Sequence, residues 1–181
     1  TNTLSHVTGH KIEPLDCSDD RLSHLLKHLS NKPLWEKIEV ELGERSIEVF
    51  ELPSSTVRCD ATTVSGYSER VEDGLMQFGH SKDNPNLPQI KIMSGALDPL
   101  GMPLATEVVS GEKADDVLYI PIIERLKKTL KKEGLLFVSD CKGSALETRA
   151  YIVGQGDLYL FPLLLTGNTA KREMLQNFSC I

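Results

Sequence analysis

The chain has 181 residues, 40% of them hydrophobic and 25% charged, with a formal net charge of −6. This is an ordinary globular composition, long enough to bury a core, and the acidic balance argues against whole-surface binding to nucleic acid. No apolar run approaches the roughly 20 residues of a membrane span, and the N-terminus lacks the blocks of a signal peptide, so a cytoplasmic protein is expected.

The first 50 residues are expected to form a helical region, set apart from a main domain over 51–181. Leu22, Leu25, Leu26 and Leu29 share one face of a helix, with Ser18 or Asp19 as its N-cap. His24 and His28 fall four apart on that helix but have no third metal ligand nearby. A second helix is predicted from about Pro33 to Leu42, with Gly43 as its stop. From Ser46 the period changes, and "SIEVFEL" alternates.

"TVRCDATTVSGY" (56–67) reads as a strand with one acid, Asp60, inside it. Burying an unpaired charge costs several kcal/mol, so Asp60 calls for a partner. Residues 68–88 are polar and rich in Gly and Pro, a connection rather than an element. "QIKIMSGAL" (89–97) alternates as a strand does, "DPLG" (98–101) has the signature of a type I turn, and "MPLATEVV" (102–109) completes a hairpin.

Helical periodicity returns around Ile122, Ile123, Leu126 and Leu130. Pro121 falls in the first turn, Lys127, Lys128, Lys131 and Lys132 complement the dipole at the end, and Gly134 is the expected cap. "LLFVSD" (135–140) reads as a short strand buried on both faces, ending on Asp140. A short helix over "SALETRAYIVGQG" and a second buried strand in "DLYLFPLLL" follow. Cys17, Cys59, Cys141 and Cys180 are dispersed, without zinc spacing, and read as reduced thiols.

The element order β-β-β-α-β-α-β describes an α/β protein with a mixed sheet. It matches the ribonuclease H-like topology, here incomplete and preceded by the N-terminal helical extension. In that topology the first and fourth strands are neighbours at the sheet centre, where Asp60 and Asp140 could share a divalent cation such as Mg²⁺. Asp140 also precedes a helix entry, where an Asp is commonly an N-cap.

Three stretches carry a more specific likeness: "RCDATTVSGY", the run from "LMQFGHSKDNPNLPQIKI" through "GMPLATEVV" to "IPIIERL", and "LLFVSDCKGSALETRAYI". In order and spacing they resemble the DDE-type transposases of bacterial insertion sequences, the IS-four-like branch, over about residues 15 to 165. His80-Ser81-Lys82-Asp83 followed by Leu87-Pro88-Gln89, and the Gly101-x-Pro-Leu-Ala-x-Glu-Val108 stretch, are its most specific parts. The resemblance implies a ribonuclease H-like catalytic domain that cuts transposon ends and joins them to target DNA, using Mg²⁺ or Mn²⁺ held by Asp, Asp and Glu. It makes Asp60 and Asp140 the first two catalytic, metal-binding acids. It places His80 and Lys82 in a signature loop as possible DNA contacts, and it implies a homodimer in the full-length protein.

The family's third acid lies in a Tyr-x-x-Arg-x-x-x-Glu-x-x-x-x-x-x-Lys pattern that has no match after Tyr159. Glu173 is the only late Glu and lacks those companions. The expectation is therefore a fragment carrying two of three acids, or a folded remnant of a transposase without turnover. A haloacid-dehalogenase-like phosphotransferase also uses a strand-borne Asp, but it needs a second Asp two residues on, where Thr62 stands here.

Overall fold

A computed structural model describes residues 2–79, 84 and 86–162. His80, Lys82 and Glu173 lie outside the described residues. The chain divides into two compact units, Thr1–Glu39 and Val40–Ile181.

The first unit holds α1 (Asn2–Thr8), a 3₁₀ turn at Pro14–Cys17, α2 (Asp19–Leu29) and the start of α3 (Lys32–Val49). Ser18 occupies the N-cap position of α2, although its hydroxyl makes no capping bond. Asp19 and Asp20 in the first turn, with Lys27 and His28 in the last, complement the helix dipole instead.

The expected stop at Gly43 does not occur: α3 runs on to Val49 and takes in the "SIEV" segment that alternates like a strand. Gly43 is buried there for a packing reason. A Cβ at this position would meet Thr129 Cγ2 at 2.9 Å and Leu104 Cδ2 at 3.2 Å. Glycine therefore lets the helix lie close to its neighbours, and the helix absorbs its lower propensity.

The second unit is built on a five-stranded sheet in the order β3-β2-β1-β4-β5. β1 (Thr56–Ser65), β2 (Gln89–Leu97) and β3 (Met102–Ser110) form an antiparallel meander. β4 (Leu136–Ser139) pairs parallel to β1, and β5 (Leu158–Leu160) parallel to β4. This is the mixed sheet of the ribonuclease H-like fold, with the first and fourth strands adjacent.

The β2–β3 connection is not the expected type I turn. The Asp98–Pro99 bond is cis and Gly101 sits at φ +68°, with the Gly101 amide donating to Leu97 O at 2.8 Å. Glycine adopts that left-handed conformation without a Cβ penalty.

β3, β1, β4 and β5 all run the same way, so β3–α4–β4 and β4–α5–β5 are parallel crossovers proceeding in one direction. Right-handed crossovers place α4 (Tyr119–Leu130) and α5 (Leu146–Gly154) on a single face of the sheet. That face holds the core: Val57, Cys59, Met93, Leu97 and Phe137 from the strands, with Ile122, Ile123, Leu126 and Ile152 from the helices. The inward set of β2 is Gln89, Lys91, Met93, Gly95 and Leu97. Lys91 can be inward because its ammonium pairs with Asp115 at 2.5 Å, the condition under which a charge tolerates burial.

Two further expectations change. The C-cap of α4 is Lys131 rather than Gly134; it is left-handed (φ 49°), and its amide bonds to Lys127 O. Gly134 instead donates to Gly156 O at 3.2 Å, joining the loops before β4 and β5. β5 is exposed along its length rather than buried, because it is the edge strand and an apolar run alone does not report edge from centre.

Candidate metal centre

β1 alternates in burial at its start, with Val57 and Cys59 inside and Arg58 and Asp60 exposed. The burial cost that made Asp60 puzzling is therefore not incurred: period-two alternation turns its carboxylate to solvent. Asp140 is exposed as well. What the fold supplies is proximity. Cys59 pairs with Ser139 in the parallel β1–β4 register. Asp60 and Asp140 are each the next residue, one position beyond the last β1–β4 pair. They stand at the carboxyl end of the central parallel pair, where open α/β sheets generally place their ligands.

Each carboxylate is held by one oxygen. Asp60 Oδ1 accepts from the Ala61 amide at 2.9 Å. Asp140 Oδ1 accepts from the Lys142 amide at 2.9 Å, which caps the 3₁₀ turn Cys141–Ser144. The same oxygen accepts from the Tyr119 hydroxyl at 3.0 Å. No hydrogen bond to Oδ2 of either residue is found among the described residues. The N-cap role expected for Asp140 is thus real, and it leaves the second oxygen available. Two hard, partly pre-oriented carboxylate oxygens fit Mg²⁺ or Mn²⁺, which take oxygen ligands and retain waters.

Tyr119, at the start of α4, is almost wholly buried. Its hydroxyl also accepts a hydrogen bond from Ser139 Oγ at 2.9 Å. Burial above all pushes the Tyr119 hydroxyl up; the bond to Asp140 and the charges of Asp140 and Asp60 push the same way, against the opposing Ser139 bond. The phenol therefore remains a protonated donor at neutral pH. A Cβ at Gly143 would meet Tyr119 Cε1 and Ser139 Oγ, each at 3.0 Å, so glycine makes room for this arrangement.

Sequence reasoning missed Tyr119. In "VLYIPII" it reads as one more core residue, and only the tertiary fold brings its hydroxyl to Asp140. The ion pairs around Asp115 were missed too: Lys91 on one side, and Lys142 at 3.4 Å on the other. Burial pushes the Asp115 carboxyl up, but the hydrogen bonds and charges of Lys91 and then Lys142 outweigh it and hold the group below the usual carboxylate range. Among the described residues no group of three or more His, Cys, Asp or Glu side chains is arranged to hold a metal ion. That statement covers His24 and His28 as well as the two acids.

Cys59, one residue before Asp60, is inert. Burial, then the Asp60 charge, pushes its thiol up to about 12 from 9.0. The folded state holds this proton more tightly than the unfolded chain, so stability falls as pH rises from about 9 to about 12. Cys59→Ala should flatten that alkaline slope in denaturant titrations. A slope equal to the wild-type one would mean that other groups set it.

No helix among the described residues is long and apolar enough to cross a membrane. No protein-family model matches the sequence, and no curated protein matches it significantly. Among solved structures, the chain is similar to a Mos1 transposase paired-end complex with the left transposon end. Identity there is 11% and the TM-score 0.42, over 79% of this chain and 53% of that one. It is also similar to a piggyBac transposase synaptic complex with hairpin DNA, at 12% identity and a TM-score of 0.49, over 93% of this chain and 38% of that one. A Mos1 mariner paired-end complex with Mn is similar at 11% identity and a TM-score of 0.41, over 79% of this chain and 53% of that one. This chain spans about half or less of the length of these proteins.

Proposed function

We propose that this chain is the metal-binding part of a DDE-type DNA transposase core, of the IS-four-like branch, with DNA as substrate and a second copy as partner. The supporting observation is that Asp60 and Asp140 each follow the last β1–β4 pair, Cys59 with Ser139, each with one oxygen hydrogen-bonded and the other without a hydrogen bond among the described residues. Asp60 and Asp140 would hold Mg²⁺ or Mn²⁺. When bound, the metal supplies charge neutralisation and activation of the attacking and leaving oxygens of phosphodiester chemistry. Asp140 would be oriented in advance by its two hydrogen bonds to Oδ1, and Asp60 less firmly by the one from the Ala61 amide. His80 and Lys82 are proposed DNA contacts, Lys82 to phosphate.

The third acid of this chemistry is not among the described residues grouped near the pair. A second reading is a transposase remnant that binds metal without turnover. Nicking of supercoiled DNA in Mg²⁺ or Mn²⁺ separates the two. The catalytic reading predicts nicking that disappears in both Asp60→Ala and Asp140→Ala. Metal binding without nicking supports the remnant. Equal nicking by the wild type and both variants would contradict any role for these acids.

A further inference from the structure

We infer that Tyr119 is a positioning residue for Asp140, setting which carboxylate oxygen faces the metal. This rests on the reading of Asp60 and Asp140 as a shared metal site. An aspartate carboxylate has a broad, roughly two-fold torsion at χ2. A single capping bond from the Lys142 amide leaves its plane free to swing. The Tyr119 hydroxyl donates a second hydrogen bond to the same oxygen, Oδ1, at 3.0 Å, beside the amide bond at 2.9 Å. Two donors from different elements on one oxygen define the plane and direct Oδ2 away from both.

The phenol can serve this purpose because its own freedom is gone. Tyr119 is 1% exposed, its ring lies against Gly143, and its oxygen is engaged by Ser139 Oγ at 2.9 Å. The Ser139 donation occupies an acceptor site on the phenol oxygen and leaves the phenolic proton for Asp140. The ordered set is therefore Ser139 Oγ–H to Tyr119 O, then Tyr119 O–H to Asp140 Oδ1. Partners beyond the ligands that orient a metal-binding side chain typically change metal affinity by about 10–100-fold when removed.

The test is calorimetric titration of Mn²⁺ into the whole chain and its variants, with the metal-free melting temperature of each measured in parallel. Tyr119→Phe keeps the ring and deletes only the hydroxyl, and it is expected to weaken Mn²⁺ binding about 10–100-fold. Ser139→Ala, which leaves the Tyr119–Asp140 bond in place, should weaken it by less. Ile122→Val thins the same helix in the core. It should lower the melting temperature without moving the affinity, separating a stability effect from positioning.

Wild-type affinity in Tyr119→Phe, with binding lost in Asp140→Ala, overturns the inference and leaves the metal site standing. Equal binding by the wild type and Asp140→Ala overturns the metal site itself, and the inference with it. A Tyr119→Phe loss no larger than that of Ile122→Val, at the same fall in melting temperature, also counts against positioning.

Discussion

Leu126→Ala lowers stability by about 2–5 kcal/mol and Gly95→Ala by about 1–3 kcal/mol, yet the double variant loses less than the sum of the two. Leu126 is fully buried on α4, so its truncation removes transfer energy and leaves a cavity. Gly95 lies across from it on β2, at the register shift between Gly95 and Ala96. A Cβ at Gly95 would meet Leu126 Cδ1 at 2.5 Å, Cδ2 at 2.8 Å and Cγ at 3.0 Å. A strand glycine replaced by alanine would ordinarily gain through a less flexible unfolded chain, but the clash decides the sign here. With Leu126 truncated, the new methyl enters the vacated space, and the coupling between the sites is favourable. Urea titrations of the four proteins read this directly, and strict additivity would mean that the two residues do not share that space. The single losses are large against a total stability of roughly 5–15 kcal/mol. They also reach the site: Tyr119 and Leu126 are two turns apart on α4, so displacing the helix moves the phenol that holds Asp140.

The second large effect concerns the acids. Asp60→Ala and Asp140→Ala should each reduce Mn²⁺ affinity by at least about tenfold, equivalent to roughly 1.4 kcal/mol, because each removes one of the two carboxylates proposed as ligands. Asp60→Ala should hardly affect folding, since its side chain is exposed and surface substitutions usually fall within about 0.5 kcal/mol. Asp140→Ala carries an added cap loss of about 0.5–2 kcal/mol from the 3₁₀ turn that follows. Asp140→Asn separates the two contributions: its side-chain oxygen can still cap, but it lacks the charge. A variant that binds Mn²⁺ weakly yet melts like the wild type marks the charge as the ligand's essential property.

Much of this fold was legible in the sequence where periodicity and burial agree. β2 occupies the predicted 89–97, and β3 extends the predicted strand by one residue, to Ser110. The Ile122–Leu126 stripe of α4 lies in the core. Reading failed where one signal had two physical meanings. Gly43 read as a helix stop, but its role is close approach inside a continuous helix. The apolar "LYL" of β5 read as buried, and edge position decides otherwise. Lys91 gave no sign that it points inward, because its partner Asp115 is distant in sequence.

The site divides in the same way. That Asp60 and Asp140 lie near one another could be read in advance, because the element order implies that β1 and β4 adjoin. Tyr119, Ser139 and Gly143 could not, because their meeting depends on how α4 and the 3₁₀ turn close over the end of β4. A hydroxyl in an apolar run carries no local mark of its partner.

The most direct test of the shared metal site is paramagnetic broadening of backbone amide signals as Mn²⁺ is added to the metal-free chain. Broadening should appear first at Ala61, Cys141 and Lys142, the amides beside the two carboxylates, and should vanish from all three together in Asp140→Ala. Broadening that starts instead at other acids, such as Asp19 and Asp20 at the start of α2, or that affects Ala61 and Cys141 independently of one another, would contradict a metal held jointly by Asp60 and Asp140.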